Sequence, residues 1–184
     1  MRKIPTLFRR DPDDLRHVLP EVTPGCEWVL AGEGRATRKY DGTCCLLDDD
    51  GVWFARREVK PGKNPPDGWV EADHDEVTGK RVGWEPIEQS PFAKFHAEAL
   101  GNPHERRYLG TYELCGPKIN GNPEGFDGHV LVWHKDAEEI PLDPGDETHE
   151  TLRDILTDPA WSYEGIVWHH PDGRMAKLKR RDFT

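Results

Sequence analysis

Lys39-Tyr40-Asp41-Gly42 sets an amine close to a carboxylate at the end of a candidate strand. An amine attacks phosphorus only after losing its proton, and burial or a neighbouring cation makes that neutral form accessible. Taken alone, the tetrapeptide equally fits an exposed lysine before a glycine turn. Further along, Phe54-Ala55-Arg56-Arg57-Glu58 carries two arginines that face opposite sides of a strand, so one can enter a site while the other stays in solvent. Glu113 interrupts the apolar run Gly110-Thr111-Tyr112-Glu113-Leu114-Cys115 ahead of Gly116-Pro117-Lys118, and such an acid needs a partner. A ribose hydroxyl would serve, and so would a structural arginine. Glu164 repeats the pattern in Tyr163-Glu164-Gly165-Ile166-Val167-Trp168, where the glycine lets a ligand or another backbone come close. Met175-Ala176-Lys177-Leu178-Lys179 alternates, which puts Lys177 and Lys179 on one face. Their repulsion is relieved by a bound polyanion such as triphosphate, or by water on an open sheet edge.

In order, these residues resemble motifs I (Lys39-x-Asp41-Gly42), Ia (Arg57), III (Glu113), IV (Glu164-Gly165-x-Val167) and V (Lys177-x-Lys179) of the covalent nucleotidyltransferases. That superfamily contains DNA ligases, RNA ligases and mRNA capping enzymes. Ala55-Arg56-Arg57 and Glu113-Leu114-x-Gly116-Pro117 are closer to the ATP-dependent RNA ligases. Lys39-Tyr40-Asp41-Gly42-Thr43-Cys44-Cys45 is similar to the small 5′-phosphate/3′-hydroxyl RNA ligases found in animals and some bacteria. The resemblance spans residues 36 to 181. It implies an α+β adenylation domain with two packed, mainly antiparallel sheets and a few flanking helices.

The resemblance also implies an activity: RNA ends joined through a covalent lysyl-AMP and an adenylylated RNA intermediate. Lys39 would be the nucleophile, Asp41 would orient it or assist a metal, and Lys177 and Lys179 would stabilise the charge that develops on the α-phosphate. Arg57 would grip phosphate as a planar fork, and Glu113 would accept from the ribose hydroxyls. Glu164 would take Mg²⁺ or Mn²⁺ as a hard oxygen ligand. Trp133, in His129-Val130-Leu131-Val132-Trp133-His134, fits either an adenine sandwich or core packing. Arg56 and Lys118 are candidate RNA-phosphate contacts. ATP and RNA ends follow as partners, along with an end-healing enzyme, in cytoplasmic RNA repair. Two other readings stay open: a nucleotide- or RNA-end-binding module that does not turn over, and a capping-type guanylyltransferase.

The elements that must position these residues are short. Sixteen prolines and 18 glycines punctuate the 184 residues, which favours a strand-rich α+β fold with antiparallel sheets. Strands are expected at Gly34–Tyr40, Thr43–Leu47, Val52–Val59, Tyr108–Cys115, His129–His134, Tyr163–His169 and Arg174–Lys179. Hairpin turns are expected at Asp48-Asp49-Asp50-Gly51 and His170-Pro171-Asp172-Gly173. Helices are expected from Ser90 to Leu100, stopped by Gly101-Asn102-Pro103, from Thr148 to Leu156, and briefly at Asp13–Val18. Pro61–Asp67 reads as a loop and Asp136–Asp146 as an acidic, exposed connection.

The length suits a single adenylation domain over 1–184, with no room after motif V for an OB-fold barrel or a C-terminal helical domain. Cys26, Cys44, Cys45 and Cys115 show no zinc or thioredoxin spacing and read as reduced thiols. No apolar run approaches the roughly 18 to 20 residues of a membrane span, so a soluble intracellular protein is expected. The net charge of −10 is uneven. Residues 136–150 hold seven acids and no Lys or Arg, and without them 28 acids face 25 bases. Bases cluster at Arg2, Lys3, Arg9, Arg10 and Arg16 and again at Lys177, Lys179, Arg180 and Arg181, a distribution compatible with phosphate contact.

Overall fold

The computed structural model describes residues 3–76, 79–101 and 107–184. The expected helix stop at Asn102-Pro103 and the basic Arg2 lie outside the described residues. In chain order the elements are β1 (Phe8–Arg10), β2 (Val18–Val22), α1 (Glu27–Leu30), β3 (Arg35–Lys39), β4 (Thr43–Leu47), β5 (Trp53–Val59), β6 (Val70–Asp75), β7 (Lys80–Pro86), α2 (Ala93–Leu100), β8 (Gly110–Cys115), β9 (Val130–Trp133), α3 (His149–Thr157), β10 (Gly165–His169) and β11 (Met175–Lys179). The fold is α+β with almost wholly antiparallel pairing. Among the described residues no helix is long and apolar enough to cross a membrane. Two compact units divide the chain.

The first unit comprises Asp41–Asp136 and Lys3, and is built on one six-stranded sheet in the order β6-β7-β5-β4-β8-β9. Asp48 turns β4 into β5: its Oδ1 accepts from the amides of Asp50 and Val52, and Gly51 sits at φ +77°. One face of the sheet is apolar, because Cys45, Leu47, Ala55, Tyr112, Leu114 and Leu131 all alternate toward it. α2 covers that face through Ala99 and His96. The helix begins at Ala93, later than expected, because Ser90 spends its hydroxyl on the Phe92 amide in a preceding turn. Strands β6 and β7 were not expected; Val70–Asp75 is mostly polar and lies at the sheet edge, where periodicity is weak.

The second unit comprises Ile4–Tyr40 and Ala137–Thr184. Its sheet has the order β11-β10-β3, and a β1-β2 ribbon lies outside it. The expected helix at Asp13–Val18 does not form: Asp11 and Asp14 cap turns, and the chain enters β2 at Val18. Thr148 caps α3 through its hydroxyl on the Thr151 amide, and Leu152 and Leu156, one turn apart, bury against Leu7, Phe8, Ile166, Trp168 and Leu178. The acidic connection is more ordered than its composition suggests. Arg38 N donates to Glu138 O and Ile140 N to Ala36 O, which makes this segment an extra edge on β3.

His96 is 3% exposed, edge-on to Trp53 at 4.6 Å, and burial lowers its pKa to about 4. The folded state therefore refuses a proton that the unfolded chain accepts below about pH 6.5. Stability should fall as pH drops from about 6.5 toward 4, at up to about 1.4 kcal/mol per unit from this group. His96→Phe should flatten that slope in urea titrations run at several pH values; an unchanged slope would assign it to other groups.

Candidate functional site

In the second unit, strand register brings three of the sequence-selected residues together. Lys39 on β3 and Lys179 on β11 both stand opposite Gly165 of the central strand β10. Residues directly opposite one another share a face, so the two lysines point the same way from either side of a glycine. Gly165 is required by packing: a Cβ there would lie 2.1 Å from Leu178 O and 2.8 Å from Lys179 Cα. Glu164 Oε2 accepts from Lys39 Nζ at 2.6 Å, and Glu164 Oε1 accepts from Lys179 Nζ. All three side chains are under one-fifth exposed.

Burial works to raise the Glu164 pKa, but the charges of Lys39 and Lys179 and their hydrogen bonds outweigh it, and the carboxyl titrates below the ordinary glutamate range. Burial and then the like charge of Lys39 lower the Lys179 pKa, against the pull of Glu164. Thr37, Val167 and Lys177 form the next row on the same face, two residues along. Thr37 donates to Val167 O and bonds the His169 ring at 3.1 Å, which stiffens that row.

Neighbouring groups fix the ends of the strands. The Arg38 guanidinium lies 4.4 Å from the Tyr40 ring and 4.0 Å from the Tyr163 ring, next to Lys39 and Glu164 in sequence. Beyond β11 the Lys179 amide donates to Asp182, a buried carboxylate that Arg10 pairs at 2.8 Å.

The remaining selected residues lie in the first unit. Glu113 on β8 pairs in register with Cys44 on β4, and Arg56 alternates onto the same face of the sheet. Glu113 Oε2 accepts from His134 Nε2 at 3.0 Å, and His134 Nδ1 bonds Thr111 Oγ1 at 2.9 Å. Arg56 lines a cavity of about 470 Å³ with Cys44, Glu58, Lys80 and Asp75. Asp41 is held by neighbours of its own: its carboxylate accepts from Asn120 Nδ2 at 2.8 Å and its amide donates to Glu124. Gly42 lies against β8, where a Cβ would stand 2.4 Å from Leu114 O, so packing rather than turn geometry demands glycine there. Lys118 is exposed on the turn after β8.

Trp133 pairs with Tyr112 on the apolar face, stacks on Tyr108 at 4.7 Å and points away from Glu113. Arg57 lies on that face too, half-exposed and 3.8 Å from the buried Glu85; Arg56 is the arginine that shares the face of Glu113. The described bases of the N-terminal cluster are each paired with an acid. Lys3 pairs with Asp75, Arg9 with Glu21, Arg10 with Asp182 and Arg16 with Asp14. His134, Asn120 and Glu85 were missed; His134 follows Trp133 by one residue, and only the β8-β9 register shows which of the two meets Glu113.

Seventy per cent of the chain is similar to RNA ligase 1 of Danio rerio. The identity is 30%, and the chain spans 46% of that relative's length. No family model matches the sequence.

Gly165→Ala should force β10 and β11 apart and displace Lys179 from Glu164. Overpacking of this kind costs about 1–3 kcal/mol. Gly128→Ala, which meets nothing within 4 Å, is the control. Thermal denaturation of both variants checks this, and equal melting temperatures would show that the strand approach is not tight.

Proposed function

We propose that the chain is an ATP-dependent RNA ligase that works through a lysyl-AMP at Lys39. The observation that carries this reading is the Lys39–Glu164–Lys179 group, in which an amine, a carboxylate and a second cation converge on one side of Gly165. The similarity to a zebrafish protein named RNA ligase 1 supports the choice of RNA as substrate.

In the first step the Lys39 amine, after giving up its proton, forms an N–P bond to the α-phosphorus of MgATP, and the P–O bond to pyrophosphate breaks. Lys179 favours this step twice over. Its charge opposes a second ammonium beside it, and it stabilises negative charge growing on the phosphoryl oxygens. Lys177, on the same face, adds to that field. Glu164 holds both amines in place before nucleotide arrives. An RNA 5′-phosphate oxygen then takes the AMP from Lys39, which restores the amine, and a 3′-hydroxyl attacks the activated 5′-phosphorus and releases AMP.

Both oxygens of Glu164 are bonded to lysines, and once phosphate oxygens engage those lysines Glu164 would hold Mg²⁺ directly or through water, as a hard oxygen ligand for a hard cation.

The test is a joining assay on a 5′-phosphorylated RNA strand abutting a 3′-hydroxyl strand on a complementary template. Wild type should join the strands with MgATP, and Lys39→Ala should lose at least about 10³-fold of that rate, because nucleophile removal is rarely compensated. The same variant should still join RNA supplied with a pre-adenylylated 5′ end. Joining by Lys39→Ala with ATP at the wild-type rate would overturn the reading.

A further inference from the structure

We propose that Glu138, in the acidic segment after β9, is a positioning residue: it ties Arg38 to Tyr163 and so holds Lys39 and Glu164 within reach of each other. This rests on the ligase reading above, and every residue concerned lies in the second unit. The need for such a tie comes from the strand register. Lys39 is the last residue of β3 and Gly165 the first of β10, and their pairing ends the ladder between the two strands. Lys39 and Glu164 therefore stand where the ladder stops, and strand ends open at lower cost than strand centres. On the β11 side the backbone supplies a restraint, because the Arg180 amide donates to Glu164 O at 2.9 Å and the Arg180 guanidinium donates to Trp161 O. On the β3 side the tie is made by side chains.

Glu138 makes it with three atoms. Its carbonyl accepts from the Arg38 amide at 2.7 Å, Oε2 accepts from the Arg38 guanidinium at 3.2 Å, and Oε1 accepts from the Tyr163 hydroxyl at 3.3 Å. The guanidinium also lies 4.4 Å from the centre of the Tyr40 ring and 4.0 Å from that of Tyr163. Arg38 thus engages the residue after Lys39 and the residue before Glu164 at once, through contacts that suit a planar cation. Its side chain is 17% exposed, so these contacts are largely shielded from water. A single carboxylate that holds both the arginine and the tyrosine makes a network, which fixes geometry better than an isolated surface pair. Under the ligase reading, phosphate oxygens draw Lys39 away from Glu164, and that ion pair no longer joins the strand ends. The Glu138 tie then remains to keep the amine in line with the phosphorus, where a small misplacement costs much of the rate.

Glu139 supplies the control, since it pairs with Arg35 at 2.9 Å, four residues from Lys39 along the same strand. The experiment measures protein adenylylation by intact mass over a range of MgATP concentrations, with thermal denaturation of each variant alongside. Glu138→Ala should lower the maximal rate by about tenfold and leave KM for ATP within about twofold, because alignment of the amine is lost and nucleotide capture is not. Glu138→Gln, whose amide oxygen still accepts one of the two side-chain bonds, should recover part of that rate. Glu139→Ala should keep the wild-type rate even where it lowers the melting temperature by the same amount. Tyr163→Phe keeps the ring on Arg38, loses only the hydroxyl and should lower the maximal rate by less. This milder variant carries the test if Glu138→Ala does not fold.

Wild-type rates in Glu138→Ala and Tyr163→Phe, or equal losses in Glu138→Ala and Glu139→Ala, would overturn the positioning role and leave the ligase reading standing. A raised KM with an unchanged maximal rate would overturn it as well. No adduct in wild type would overturn the ligase reading itself, and the inference with it.

Discussion

One carboxylate, Glu164, neutralises two ammonium groups on a single sheet face, and the second unit is arranged so that it can. Lys39 and Lys179 come from strands on opposite sides of β10, and two like charges placed there and largely withdrawn from water would repel without an anion between them. Burying such a group is costly, and the cost is recovered only if both lysines are well bonded. Under the proposed function, phosphate oxygens would take over the role of the anion, and the two cations would then face a substrate instead of Glu164.

The backbone makes room for this group at one residue. Gly165 lets β11 approach until Leu178 O stands where a side chain would begin. The strands are held in turn at their ends. Arg38 between Tyr40 and Tyr163 couples the residue after Lys39 to the residue before Glu164, and Asp182 with Arg10 closes the chain after Lys179. The contacts of Arg38 with Tyr163 and of Arg10 with Asp182 join residues far apart in sequence. The site is therefore a property of the register between β3, β10 and β11.

Much of this was legible in the residues themselves. Thr43–Leu47 matches its strand end to end, and six other expected strands differ only by a residue or two at their ends, because alternating apolar residues between turn signals mark a half-buried strand well. α3 was legible from Thr148, whose hydroxyl does cap it. The failures have physical reasons. β6 is polar and at an edge, so it carries no periodic signal, and the acidic stretch near Glu138 pairs with β3 through its backbone, which composition does not report. The faces of Trp133 and Arg57 were not legible either: both stand on the apolar side of the first unit's sheet. A shift of one residue in a strand reverses the face, and only the pairing with Tyr112 and Gly83 decides it. Lys177 and Lys179 were legible as neighbours on one face from their alternation, whereas only the pairing of β3 and β11 with β10 brings Lys39 beside Lys179.

The most direct measurement is intact-mass spectrometry of the protein after incubation with MgATP, followed by peptide mapping of any adduct. The account predicts a gain of one AMP, carried by Lys39 and absent from Lys39→Ala. An adduct that persists in Lys39→Ala, or one mapped to another residue, would contradict it.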